Sequence, residues 1–282
     1  METIVSSDRS DVIISDRRAT VMIGERINPT GKKKMADALR DREWDVVRKE
    51  AVAQVAAGAG ILDVNVAAPG LDETYLLPKA IETIMAAVDV PLCIDINKTA
   101  ALAEALKVCG GKPIVNSVSG EKKSLHEVLP LVKSHGAAVI ALTLDDDGIP
   151  REAEKRAAIA HRIVEHAVAL GIPSEDIIVD CLTLALGPDD KAGMVTLQAI
   201  RQVKAELGVN QTLGASNISF GLPDRLLINQ TFVALAIEAG VTCPTVDAQR
   251  MAPTVLATDL LLGRDRFCQR FIKDFRKRQE KH

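Results

Sequence analysis

Three polar residues sit inside otherwise apolar runs of this 282-residue chain: Asp95 in "PLCIDIN", Asn116 in "PIVNSVS" and Asp180 in "IIVDCLT". Each is followed by further strand-forming residues, which sets it apart from an ordinary turn or cap residue. A carboxylate so placed must be paired or bound by a ligand, because removing a bare charge from water costs several kcal/mol. The nearby cations are few: Arg26, Lys98 and Arg225. Two carboxylates and several carboxamides with so little opposing charge suit a neutral ligand rich in N–H donors rather than an anion.

Other apolar runs close in the same way. "TVMIGERIN" ends in Glu25, Arg26 and Asn28; Asp63 and Asn65 follow in "ILDVNVAA"; Ser216, Asn217 and Ser219 lie in "TLGASNIS"; Asp247 lies in "PTVDAQ". Side chains alternate along a strand, so Asp63 shares a face with Asn65, and Asn217 with Ser219. Thr99, Ser119 and Asp145 read instead as turn or cap residues. A heterocycle bearing an amino group and a ring N–H, such as a pterin, matches this set of acceptors. The histidines His126, His135, His161 and His166 fall in helical segments, which argues against a histidine base or a zinc site. No metal ligand set is expected.

The elements that must position these groups form a repeating unit. Eight β-branched runs begin at Thr20, Ile61, Pro91, Pro113, Ala138, Ile177, Thr212 and Pro244. Between them lie segments such as "REWDVVRKEAVAQVAAGAG", apolar at every third or fourth position and closed by glycine. Eight strand–helix units over about 240 residues predict an α/β fold of the (β/α)8 TIM-barrel type, with polar strand ends gathered at one mouth. A doubly wound sheet is the alternative, but its GxGxxG turn is missing. Expected boundaries are an N-terminal extension over 1–19, the barrel over 20–263, and a C-terminal helix or tail over 264–282. In that tail Phe267, Phe271 and Phe275 recur at helical spacing, as for a helix packed on the barrel or on another subunit.

Composition narrows the function classes. A net charge of −3 and 2% aromatic residues give little for nucleic acid to bind. No stretch reaches the roughly 18 to 20 apolar residues of a membrane span. Five scattered cysteines, none in a CxxC pair, predict neither a disulfide framework nor a metal cluster and fit a cytoplasmic protein. The segment "VDAQRMAPTVLATD" after the last strand has no glycine, unlike the phosphate loop of many barrel enzymes.

Taken together, "GERINPTGKK", "ILDVNVAAPG", "LCIDINK", "PIVNSVSGE", "IIVDCLTLALG" and "LGASNISFGLPDRLLINQTFVALAIEAG" resemble the pterin-binding barrel of the folate-dependent corrinoid methyltransferases, from about Thr20 to Gly263. The resemblance implies that Asp95, Asn116 and Asp180 bind the pterin ring. It implies that Asn217 is catalytic at N5, the nitrogen that bears the methyl group, and that Arg225 contacts folate. Glu25, Asn28, Asp63, Asn65 and Ser219 are further mouth residues. The implied substrates are tetrahydrofolate or 5-methyltetrahydrofolate and a cobalamin carried by a separate corrinoid protein, since this chain has no DxHxxG corrinoid signature. The expected direction is toward tetrahydrofolate in a demethylation pathway, by a homodimer. The alternatives are transfer in the opposite direction, dihydropteroate synthase, and a non-catalytic folate-binding protein.

Overall fold

The computed structural model describes residues 1–280. The chain opens with an antiparallel hairpin, β1 (Glu2–Ser6) and β2 (Asp11–Ser15). Eight parallel strands follow: β3 (Met22–Ile27), β4 (Ala59–Val64), β5 (Leu92–Asp95), β6 (Ile114–Ser119), β7 (Ala138–Leu142), β8 (Ile177–Asp180), β9 (Asn210–Thr212) and β10 (Thr245–Val246). Their order, β10-β3-β4-β5-β6-β7-β8-β9, is that of a barrel. A bridge between Gly214 and Thr245 and a bond from Thr245 N to Leu213 O (3.0 Å) join its two ends.

The helices are α1 (Lys33–Asp41), α2 (Trp44–Ala56), α3 (Glu73–Met85), α4 (Thr99–Val108), α5 (Lys122–His135), α6 (Ala153–Ala169), α7 (Ala192–Glu206), α8 (Arg225–Ala239), α9 (Ala248–Leu261) and α10 (Gln269–Gln279). The glycines that close the helical segments do so by adopting the left-handed backbone, Gly58 at φ 103° and Gly171 at φ 83°.

Alternation sorts the strand residues into two cores. Leu62, Ile94, Val115, Val139 and Val179 point outward and pack with the helices. Ile23, Ile61, Cys93, Ile114 and Ile178 point inward and pack with Val5 and Ile14 of the hairpin. The N-terminal extension read over 1–19 therefore includes a plug for the end of the barrel opposite the mouth. Val5 and Ile14 are fully buried there, each worth about 1.5 to 3 kcal/mol.

The spacing places a strand over 212–219, but β9 stops at Thr212 and residues Ala215–Ser219 form a 3-10 turn. The short polar sequence "GASN" has too little β-branched surface to pair further. Of the segment 264–282, its last two residues lie outside the described residues. Its helix α10 is tied to the barrel by Asp259, which is fully buried. That carboxylate accepts from Thr20 N (2.9 Å) and Thr20 Oγ1 (2.7 Å) and pairs with Arg270 Nη1 (2.8 Å). Phe271 turns toward the barrel, whereas Phe267 and Phe275 stay exposed.

Candidate active site

At the C-terminal ends of the strands, inward positions change from aliphatic to polar. Glu25 on β3, Asp63 on β4, Asp95 on β5, Asn116 on β6 and Asp180 on β8 sit above the inward aliphatic layer and line one cavity of about 610 Å³. The parallel register sets Asp95 beside Asn116 and Asp180 beside Thr212. Asn116 Nδ2 donates to Asp63 Oδ1 (3.2 Å), and Asn65 Nδ2 donates to Asp95 Oδ2 (2.9 Å). Asn65 in turn accepts from Ala67 N at 2.7 Å. It stands behind Asp95 and orients it, and it is not among the cavity-lining residues.

Burial disfavours the charged form of every carboxyl on this floor. Burial pushes the Asp63 carboxyl well above the usual carboxylate range and the negative Asp95 pushes it further, against the bond from Asn116. Burial also raises Asp95, against the bond from Asn65. Asp180 is pushed up to about 7 by burial, opposed by the Leu182 N–H (2.6 Å) and the positive field of Arg156.

The pattern of types and spacing did not single out Arg156. It lies fully buried on α6, where Nη1 donates to Cys181 O (2.9 Å), Leu182 O (2.9 Å) and Thr196 Oγ1 (3.1 Å), and Nε donates to Pro150 O (2.8 Å). The guanidinium thus fixes the backbone just after Asp180, including Leu182 at φ 58°, a left-handed conformation that a bulky side chain adopts under strain. The signal was present in the sequence, because Arg156 falls on the same stripe as Ala153, Ala157 and Ala160, all buried.

The Asn217 side chain comes from the 3-10 turn after β9 and is exposed to the cavity. Gly214 stands beside it, where a Cβ would make an ordinary van der Waals contact of 3.4 Å with Asn217 Nδ2. Ser219 does not share its face. The helical turn rotates Ser219 into the fold, where it is fully buried and accepts from Arg225 Nε at 3.0 Å. Arg225 also donates from Nη2 to Ser216 O (2.8 Å), so this arginine splints the turn that carries Asn217 while still lining the cavity.

Around the rim runs a charge network. Arg26 meets Glu50 (3.5 Å) and Asp247 (3.6 Å), and Arg250 meets Asp247 (3.7 Å). Lys32 Nζ donates to Glu25 O at 3.0 Å. Burial raises the Glu25 carboxyl, against the Lys32 charge. Asn28 lines the mouth and spends its Oδ1 on Thr30 N (2.9 Å). Lys98, counted as a cation near the mouth, instead pairs with Glu73 at 2.8 Å and does not line the cavity. Lys32 and Arg250 do line it; the GKKK run and the helix after β10 placed them there, and sequence spacing alone did not distinguish them from solvated surface charge.

Comparison with known proteins places this geometry among relatives. The profile of a family described as pterin binding enzyme matches residues 24–247. A methylcorrinoid:tetrahydrofolate methyltransferase of Eubacterium limosum is 32% identical over 266 residues, covering 91% of this chain and 96% of that protein. A methionine synthase of Mycobacterium tuberculosis is 32% identical over 265 residues, of which this chain spans 22% of the length. Among solved structures, dihydropteroate synthase of Yersinia pestis with a pterine–sulfa conjugate superposes with a TM-score of 0.71 at 17% identity, covering 93% of this chain and 99% of that one. Dihydropteroate synthase of Thermus thermophilus gives 0.68 at 19% identity, covering 92% and 99%. At such identities these two bear on the fold alone.

Proposed function

The chain belongs to the pterin binding enzyme family, and from that premise we propose that it is a methyltransferase moving a methyl group between a corrinoid and N5 of tetrahydrofolate, in the direction of tetrahydrofolate. The observation that carries this reading is one cavity holding acceptors on its floor, Asp95, Asn116 and Asp180, and an exposed carboxamide, Asn217, on a separately mounted turn. The floor suits the amino group and ring N–H of a pterin. Asp63 belongs to the same floor, and Glu25 and Asn28 to the wall and rim above it, shared with the incoming corrinoid. Arg225 uses two of its five donors on the turn, which leaves others for folate.

In the transfer, the N5 lone pair attacks the methyl carbon in line with cobalt. The cobalt–carbon bond breaks with both electrons staying on the metal, so Co(III) becomes Co(I), and the proton on N5 leaves to solvent. Positive charge grows on N5 on the way, and the Asn217 oxygen accepts a hydrogen bond from N5–H as it does. The reverse step passes through the same contact, the Asn217 oxygen holding N5–H as the methyl leaves; only to the unprotonated N5 of bound 5-methyltetrahydrofolate, before that step, does the amide rotate and donate from Nδ2. Positioning supplies most of the rest.

The corrinoid arrives on a separate protein over the open mouth, and the chain serves a demethylation pathway in the cytoplasm, where its five free thiols stay reduced. Exposed Leu261, Phe267 and Phe275 support a homodimer. Dihydropteroate synthase chemistry is disfavoured because it must hold a diphosphate, and here Arg26 and Arg250 are already paired with Asp247.

The test is an anaerobic absorbance assay with methylcob(III)alamin and tetrahydrofolate, repeated with a methylated corrinoid protein. Loss of the methyl–cobalt spectrum with 5-methyltetrahydrofolate formed is the expected result. Folate binding with no turnover from either donor would make the protein a folate carrier and overturn the proposal.

A further inference from the structure

Asn229 stands one turn into α8, four residues after Arg225, and is 8% exposed. It lines the cavity, yet its Oδ1 is buried with no hydrogen-bond partner among the described residues. Nearly all buried polar atoms in folded proteins are partnered, and one that is not destabilises the fold that holds it. The orphan belongs to a carboxamide that lines the cavity, and a ligand there that turns the amide would give it a partner.

Its surroundings say which part of a ligand. The floor acceptors suited to the pterin edge lie on β4, β5, β6 and β8, not on β9 and β10, the two strands that α8 joins. Asn229 belongs instead to a helix packed on the turn that carries Asn217. Its neighbours along the cavity wall include Phe220, Leu226 and Met251, an apolar lining for a flat ring. In folate the carbon next to N5 bears the aminobenzoyl arm, an aromatic ring with an N–H on one side and a carbonyl on the other. A side chain beside the group at N5 thus meets that arm.

On the reading given under the proposed function, we infer that Asn229 is a ligand-binding residue that hydrogen-bonds the aminobenzoyl arm of folate and selects for folates over bare pterins. The pterin ring is held by other residues, so the two halves of the ligand can be separated experimentally.

The experiment is calorimetric titration of the full chain with 5-methyltetrahydrofolate and, separately, with 6-methyltetrahydropterin, which lacks the arm. Asn229→Leu, nearly equal in size, should raise the Kd for the folate about tenfold and leave that for the pterin within about twofold. The same variant should raise the Tm of the ligand-free protein by about 2 to 4 °C, because an unpartnered polar group leaves the interior. Asn229→Ala gives the same binding comparison if the leucine does not fit. Unchanged folate affinity overturns the inference and leaves the proposed function standing, as does equal weakening of both ligands. A lowered Tm with unchanged affinity makes Asn229 structural and also overturns it. A wild-type chain that binds neither ligand overturns the proposed function and this inference with it.

Discussion

The Asp180 carboxyl, pushed up to about 7 in the free protein, gives the sharpest test of how the floor works. A pterin that donates its N–H groups needs the ionised form, so binding must expel the proton that burial keeps on Asp180 at neutral pH. The apparent Kd then scales with one plus the ratio of proton concentration to acid constant. From pH 8 to pH 6 it should rise about tenfold, or about 1.4 kcal/mol. Calorimetry with 5-methyltetrahydrofolate at three pH values, in two buffers of different ionisation heat, reads both the affinity and the proton released. Asp180→Asn should flatten this slope and weaken binding at pH 8 by about 1.5 to 3 kcal/mol, the worth of a charge-assisted hydrogen bond.

Stability carries the opposite sign. The folded-state pKa lies above the unfolded one, so the stabilisation linked to this proton is complete below about pH 4 and is lost as pH rises through about 7. Asp180→Asn removes that loss, by at most about 4 kcal/mol at pH 8 if the full shift is realised. The ligand-free variant should therefore melt higher than wild type at pH 8, with the gap closing toward pH 5. A wild-type affinity that stays level from pH 6 to 8, or a slope that persists in Asp180→Asn, would refute the assignment of that proton to Asp180.

Two other substitutions separate the remaining roles. Asn217→Ala should slow single-turnover methyl transfer about a hundredfold while leaving the folate Kd within about threefold; equal losses in both would reduce Asn217 to a binding group. Arg156→Met should lower stability by about 3 kcal/mol or more, read by thermal or urea unfolding, since the carbonyls of Cys181 and Leu182 lose their buried donor. A change under about 1 kcal/mol would mean that the loop after β8 holds its shape without the guanidinium.

What the sequence disclosed follows from the range of the forces involved. Strand alternation and apolar runs act over a few residues, so the barrel and the convergence of Asp63, Asp95, Asn116 and Asp180 were legible from them. The turn at Ala215–Ser219 was not, because its polar residues suit a strand end and a 3-10 turn equally. Only tertiary packing, through Arg225, decides between them. The hairpin plug escaped for a related reason: "TIVS" and "VIIS" announce strands but not what they cover, and the barrel's open end supplies that. Asn229 was not singled out by the sequence, because its unpartnered state exists only in three dimensions.

The two parts of the site are built with different stiffness, and the division matches their tasks. Asp63, Asp95 and Asp180 stand on paired strands, and each accepts a short-range bond from Asn116, Asn65 or the Leu182 N–H. Such groups lose little freedom when a ligand arrives, so recognition on the floor carries a small entropic penalty. Asn217 differs. Its turn is pinned through Ser216 and Ser219, but the cavity in front of it leaves the carboxamide room to rotate. A group that must accept a hydrogen bond from protonated N5 and give one to unprotonated N5 needs that freedom about its last torsion and fixity everywhere else. Replacing Gly214 by alanine would put a methyl in van der Waals contact with Nδ2 and should slow single-turnover transfer in both directions more than folate binding weakens, because it touches the carboxamide and not the floor.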